Sequence, residues 1–360
     1  MPAVSEIINK VIFLEGLALA LTMVCIFGHA LWVRWYETYY GPRLSRARES
    51  LTQILDADEA FERKQTPRAS ASIEALSSLP RRLQIRLFLS LARNLSGHQK
   101  KAVGDLAVRV GLLARAERNL QSPRWWRRLH AARLLTVLDV GDRAIPRLLT
   151  DRHALVRAQG AEWAGEHPGP ELIKALLELL NDSAKFCRFT AQSSLLRMEA
   201  LPVPFISEYI LRASGPALEA ALEVALGLAE SRLLGPALKL CDDPAPTVQA
   251  LAARLLGQIG GKDGLTALSK LLGHPEAMVR AAACRALGKL GEWPSAPALA
   301  RALRDPAWDV RRAAGLGLRS LGSPGILLLR RAVSDEDRFA RDMARQVLEI
   351  PASTLVRAVS

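Results

Sequence analysis

The sequence is poor in the residue patterns on which chemistry is usually built. Four cysteines, Cys25, Cys187, Cys241 and Cys284, lie far apart in 360 residues, with no CxxC among them. That excludes a thiolate zinc site and a dithiol pair, and three of the four sit in apolar helical contexts that read as small core residues. Reduced thiols suit a cytoplasmic compartment. The six histidines are scattered without an HExxH, which leaves no metal ligand set. A GxSxG is also missing. Gly260-Gly261-Lys262 has Asp263 where a phosphate loop carries Ser or Thr, and a helix before it where a strand is needed, so it reads as a helix stop. No strand pattern competes with the helical ones. These absences predict a chain with no cofactor, no metal and no catalytic residue, hence not an enzyme.

What the chain does have is one long apolar run, an uneven charge and a repeat. Residues 11–33 read VIFLEGLALALTMVCIFGHALWV, interrupted only by Glu15 and His29, and are long enough to cross a bilayer as a helix. Trp32, Trp35, Tyr36, Tyr39 and Tyr40 follow as an interfacial aromatic belt would. Before the run stands Lys10, offset by Glu6; after it stand Arg34, Arg43, Arg46 and Arg48. The positive-inside bias therefore puts the short N-terminus (1–10) outside and the rest in the cytoplasm of a bacterial inner-membrane protein. Gly28-His29-Ala30 loosely resembles a signal-peptide cleavage site, but the run is long, Glu15 interrupts it, and bulky aromatics follow. Glu15 and His29 lie near the two ends, within reach of the interface. Gly16 and Ala20 form a small-xxx-small pair that permits close approach of a second helix. Gly41-Pro42 is expected to end the span's helix.

Of the net charge of +13, residues 34–133 hold +11, with 20 basic against 9 acidic side chains. Residues 34–119 read as a basic juxtamembrane helical segment, either divergent repeats or a cap, with Pro67 and Pro80 bracketing a short helix. In 81–95, Arg81, Arg82, Arg86 and Arg93 stand beside apolar residues. Arg124, Trp125, Trp126, Arg127 and Arg128 form the densest basic-aromatic cluster. On a membrane it joins Trp burial to headgroup attraction, and on nucleic acid it joins stacking to phosphate contact. It also reads as a core Trp126 among solvated arginines.

From 120 to 360 the chain repeats. DPAPTVQALAARLLGQIG (243–260), HPEAMVRAAACRALGKLG (274–291) and DPAWDVRRAAGLGLRSLG (305–322) are variants of one sentence. Marks at Trp126, Val156, Cys187, Leu218, Val248, Val279, Val310 and Ala340 are 30 or 31 residues apart, which predicts stacked helical hairpins. Asp151, Asp182, Asp243, Asp305 and Asp335 stand five before their marks and are expected to cap the helices, with Pro306 in the first turn and Gly322 closing it. Shorter apolar helices are expected at 170–180, 264–272, 295–304 and 324–333. The unit around Leu218 departs most: it lacks the aspartate and puts Glu219 after its mark.

AMVRAAACRALGKLG (277–291), WDVRRAAGLGLRSLG (308–322) and TVQALAARLLGQIG (247–260) resemble HEAT repeats of the short form found in phycobilisome lyases. The resemblance implies an all-α solenoid, preceded here by one transmembrane helix. In that family the Arg after the mark bonds to the neighbouring unit; here Arg127, Arg157, Arg188, Arg280, Arg311 and Arg341 hold the place, and the last five are also candidates for docking a partner. The expected function is a membrane-anchored scaffold binding a membrane-associated protein, such as an enzyme of envelope or exopolysaccharide assembly. Trp32, Arg34, Trp35, Tyr36, Tyr39, Tyr40, Arg43, Arg124, Trp125, Arg127 and Arg128 face an anionic membrane surface in this reading. Two alternatives are a lyase resembling the bilin lyases and a nucleic-acid binder, the latter in conflict with the span.

Overall fold

The computed structural model describes residues 2–56, 73–74, 76–92, 95 and 97–351, with side chains from Leu14 to Glu49 and again from Ile73 onward. Pro67 and Arg93 lie outside the described residues. Every regular element among the described residues is helical, and the chain divides into two compact units, residues 1–142 and 143–360.

In the first unit, α1 runs unbroken from Pro2 to Asp56. Gly41-Pro42 does not end it, contrary to the expectation above. One proline removes a single backbone bond, and the helix formers on both sides carry the helix past it. The Pro42 carbonyl accepts from Ser45 Oγ at 3.2 Å and Arg46 Nε at 3.1 Å. The side chains of α1 are exposed from Leu14 to Leu31, and near its far end Ala47 is buried against the unit. The unit continues through α2 (Arg81–Ala92), α3 (Gly97–Arg109), α4 (Leu112–Leu120) and α5 (Trp125–Leu138). Leu83, Leu87 and Phe88 of α2, Leu106 of α3 and Leu135 of α5 form its core, while Arg81, Arg82 and Arg86 stay outside.

The second unit is the repeat. A 3-10 turn (Ile145–Thr150) leads into α6 (Ala154–Glu166). Then come α7 (Pro170–Glu178), α8 (Lys185–Arg197), α9 (Val203–Tyr209), α10 (Gly215–Leu228), α11 (Leu234–Leu240) and α12 (Pro246–Ile259). The series closes with α13 (Lys262–Leu271), α14 (Ala277–Leu290), α15 (Ala296–Ala302), α16 (Trp308–Ser320), α17 (Ser323–Ala332) and α18 (Arg338–Glu349). Long helices (α6, α8, α10, α12, α14, α16, α18) alternate with short ones, and one hydrophobic core runs from Leu149 to Val347. The marks Val156, Cys187, Val248, Val279, Val310 and Ala340 are 0–2% exposed. Leu287 is buried as well, whereas Leu290 is partly buried against the core.

Successive long helices pack closely and successive short helices touch little, so the stack is tighter on its long-helix side. Alanine and glycine make this possible. A Cβ on Gly288 would lie 2.4 Å from the Gly317 Cα, and one on Gly257 would lie 2.6 Å from the Ala286 Cβ.

Ala229 closes α10 in the left-handed region (φ 50°, ψ 37°), where α14 is closed by Gly291 (φ 71°, ψ 10°). A Cβ there costs about 1–2 kcal/mol, partly offset by the greater freedom of glycine in the unfolded chain. Ala229→Gly is expected to raise the urea midpoint of the full chain by the equivalent of ~0.5 kcal/mol, and Gly291→Ala to lower it by at least as much. A fall in the midpoint of Ala229→Gly would contradict this.

Candidate interaction surfaces

Every long helix except α10 is started by the same small device, which spacing alone described only in part. The aspartates do not cap the helices: the helix begins three residues after each, and the carboxylate accepts from the backbone N–H two residues on. The five bonds are His153 to Asp151, Ala184 to Asp182, Ala245 to Asp243, Ala307 to Asp305 and Asp337 to Asp335, at 2.8–2.9 Å. An Asx turn of this kind fixes the loop before the helix. Pro306 therefore lies in the loop and not in the first turn. Two units that lack the aspartate keep the acceptor: His274 Nδ1 accepts from Glu276 N–H at 3.1 Å, and Ser122 Oγ from Arg124 N–H at 3.3 Å. The first of these requires His274 to carry its proton on Nε2.

The fourth residue of the long helix closes the device. Its guanidinium reaches back to the two loop carbonyls, from Arg157 to Asp151 and Arg152 and from Arg188 to Asp182 and Ser183. Arg280, Arg311 and Arg341 do the same in their units. This geometry corrects the register in two places. Arg128, bonded to the Ser122 and Pro123 carbonyls, takes the place expected for Arg127, and Trp126 is 45% exposed and not core. In the departing unit the fourth residue of α10 is Leu218, buried, and Glu219 accepts from Thr247 Oγ1 instead. The helix starts fall one residue off the apolar marks here: α5 begins at Trp125, too close to the start of α6 at Ala154 for the period of the marks, and α10 begins at Gly215 without an acceptor before it.

Two of these arginines also tie one unit to the next. Arg157 reaches both carboxylate oxygens of Asp182 at 2.5 and 2.7 Å, and Arg280 both of Asp305 at 2.7 and 2.9 Å. Burial pushes the two aspartates up, but the guanidinium bonds and the backbone N–H outweigh it and hold both carboxyls below their ordinary value. Arg311 has no such partner: Asp335 is taken by Arg304, and the Arg311 guanidinium lies 4.8 Å over the Phe339 ring. The buried thiols stand beside this machinery. Burial first, and the neighbouring aspartate second, pushes Cys187 and Cys284 up to about 12, and Cys241 rises to about 11. Among the described residues no three His, Cys, Asp or Glu side chains gather as metal ligands.

On α1 the aromatic residues stack at one-turn spacing. Trp32 faces Tyr36 at 5.4 Å, Trp35 lies parallel to Tyr39 at 5.5 Å, and Tyr36 meets Tyr40 at 5.1 Å. The Arg43 guanidinium sits 4.4 Å over Tyr39, and Arg34 is exposed. Trp32 and Trp35 are more than half exposed. The stretch Leu14–Glu49 is long and apolar enough to cross a membrane, by length and composition, and its most apolar window is not covered by the rest of the chain. In the other basic-aromatic cluster, Trp125 and Trp126 meet edge to face at 6.1 Å with Arg124 over Trp126 and Arg127 exposed.

The solvent face of the long helices was not singled out by the repeat. On α14 and α16 it carries Met278 (46% exposed), Trp308 (53%), Arg285 and Arg312, beside Arg254 on α12.

Residues 234–319 match the family model described as HEAT repeats. No curated protein matches the chain. Among solved structures, the complex of CpcE and CpcF of phycocyanin lyase from Nostoc is similar at 19% identity, over 61% of this chain and 92% of that one, with a TM-score of 0.36. An engineered protein is similar at 19% identity over 81% and 92%, TM-score 0.36. Human deoxyhypusine hydroxylase is similar at 19% over 78% and 96%, TM-score 0.28. The HEAT-repeat, all-α solenoid class rests on the family match and on the alternating helices themselves.

Proposed function

We propose that this chain is a membrane-anchored scaffold whose helical-repeat array holds a protein partner at the cytoplasmic face of a bacterial inner membrane. The observation that carries the reading is α1: an apolar stretch with no cover from the rest of the chain, then a stacked aromatic belt, then arginines, in one unbroken helix. An uncovered apolar surface marks a contact with a membrane or a partner, and the length of this one suits a bilayer. The length of the apolar run, its interruption by Glu15 and the bulky aromatics after Gly28-His29-Ala30 favour an anchor over a cleaved leader. The arginines after the belt favour the orientation with the repeats inside. The +11 of residues 34–133, with Arg124, Trp125, Arg127 and Arg128 among them, supports contact with anionic headgroups, each basic residue near the surface adding about 1 kcal/mol. The inner, long-helix face of the array is the surface for the partner, an envelope or exopolysaccharide assembly enzyme in this reading. Of the arginines Arg157, Arg188, Arg280, Arg311 and Arg341 at the helix starts, Arg157 and Arg280 give their remaining edge to the next unit and Arg311 is buried, so Arg188 and Arg341 are the ones left for a partner in this reading.

The test is membrane extraction with a topology reporter. The full chain is expected to stay in the membrane pellet through alkaline carbonate, and a reporter fused after Ser360 to be active in its cytoplasmic sense. Release by carbonate, or cleavage of the repeats by protease added to intact cells, would overturn the anchor or its orientation.

A further inference from the structure

We infer that the solvent face of α14 and α16 is the docking site for an acidic segment of a protein partner, one that offers carboxylates to Arg285 and Arg312 and an apolar side chain to Met278 and Trp308. The inference rests on the scaffold reading and specifies its surface and the chemistry of its partner.

Four observations carry it. First, the cations are brought together by the fold. Arg254 and Arg285 occupy the same position on α12 and α14, the ninth residue of each helix, and α16 sets Arg312 beside them. The helices are held at this spacing by the close contacts of Gly257 with Ala286 and of Gly288 with Gly317. Second, their charge is largely unanswered. Arg254 pairs with Glu223 at 3.2 Å, but among the described residues Arg285 makes no hydrogen bond or ion pair, and Arg312 has only the Trp308 ring, 5.6 Å away. The Arg285 guanidinium is pushed below its ordinary range, by burial first and then by Arg254 and Arg312, with Asp309 opposing them. A carboxylate placed between these arginines relieves that repulsion. Third, the flanks are apolar and large. Tryptophan, methionine and arginine are the residue types that anchor interfaces. Fourth, the surroundings disfavour a continuous polyanion. Asp309 is exposed within the cluster, Glu223 stands beside Arg254, and Glu162 is exposed on the same face of α6. A row of phosphates on nucleic acid or a bilayer meets these carboxylates, whereas a peptide presents its few charges one by one.

The experiment uses the full chain in nanodiscs of neutral lipid. The probe is a fluorescein-labelled decapeptide with four glutamates, one phenylalanine and one leucine, and its control has the glutamates replaced by glutamine. The acidic peptide is expected to bind, to weaken as salt rises, and to lose roughly tenfold or more in affinity in R285Q/R312Q and in Trp308→Ala. It should be unaffected by Arg301→Gln, an exposed arginine of the short helix α15. Circular dichroism melts matched to the parent show that the variants fold, and Met278→Ala provides a second, milder reading of the same surface. Equal binding in R285Q/R312Q and the parent would overturn the site. So would binding of duplex DNA or of anionic vesicles that these variants abolish, with no binding of the peptide. Neither outcome touches the anchored scaffold, which stands or falls on carbonate extraction and the topology reporter.

Discussion

Gly288→Val is expected to lower the melting temperature of the full chain in detergent by about 10 °C. A Cβ at 288 falls 2.4 Å from the Gly317 Cα and 3.2 Å from Ser320 Oγ. The nearer obstacle is backbone, so no side-chain rotation clears it, and α14 must move off α16. That movement breaks the bond by which Ser320 Oγ donates to the Gly288 carbonyl at 2.7 Å. It also opens a gap around Cys284 and Leu318, both fully buried. Overpacking costs about 1–3 kcal/mol and a buried hydrogen bond about 1 more. At about 2–4 °C per kcal/mol for a unit of this size, the shift reaches ~10 °C. Gly235→Ala, where a Cβ meets nothing within 4 Å, is the control and should be neutral or slightly stabilising. A Gly288→Val protein that melts with the parent would mean that the long helices do not approach at this glycine pair.

Asp305→Ala should cost about 2–4 kcal/mol, because one carboxylate serves two units. It accepts from Ala307 N–H to fix its own loop and from both faces of the Arg280 fork, with the two side chains only 10% and 13% exposed. Its loss leaves Arg280 with its loop carbonyls and an unanswered charge in a largely dry place. Asp305→Asn retains the shape and removes the charge, and it carries the pH signature. Asp182 and Asp305 have folded-state carboxyls held below the ordinary carboxylate value. Their contribution is thus fully present above the unfolded value near ~3.9 and is lost as pH falls through the lower folded value. Urea titrations of the parent at pH 7 and pH 3 should show a drop that is smaller in Asp305→Asn and smaller again in the Asp182→Asn, Asp305→Asn double variant. Parallel losses in all three proteins would show that these pairs do not set the acid sensitivity.

The repeat was legible because each unit buries the same apolar face, so a period of 30 or 31 residues survives wide changes on the solvent side. The core at Val279, Val310 and Leu318, and the burial of three cysteines, follow from that pattern. The helix starts were less legible. An aspartate three residues before a helix has the spacing of several turn types, and only the backbone shows that its oxygen meets the second N–H. Ser122 and His274 serve the same turn, so what the loop requires is an acceptor at the right height and not a carboxylate; looking for Asp alone misses them. Trp126 and Glu219 were misplaced because the starts of α5 and α10 fall one residue off the apolar marks, a slip that no apolar spacing records. Pro42 looked like a stop because local propensity was weighed without the long helical runs on either side. The face of Arg285, Arg312 and Trp308 was not visible at all, since it arises from side chains on two helices that only the packing brings together.

The unbroken α1 has a mechanical meaning for the proposed anchor. A helix rises about 1.5 Å and turns about 100° per residue, so the thirteen steps from Arg34 at the aromatic belt to buried Ala47 act as a gauge of ~20 Å. That gauge fixes both the height of the first unit above the bilayer and its azimuth relative to the lipid-facing side of the span. Adding one residue between Tyr40 and Ala47 would lift the unit by little more than an atom's width yet swing it by more than a quarter turn. A second membrane protein that lies against Gly16 and Ala20 inside the bilayer would then find the unit's face pointing elsewhere. Such a phase-locked stalk selects neighbours by bearing as well as by contact.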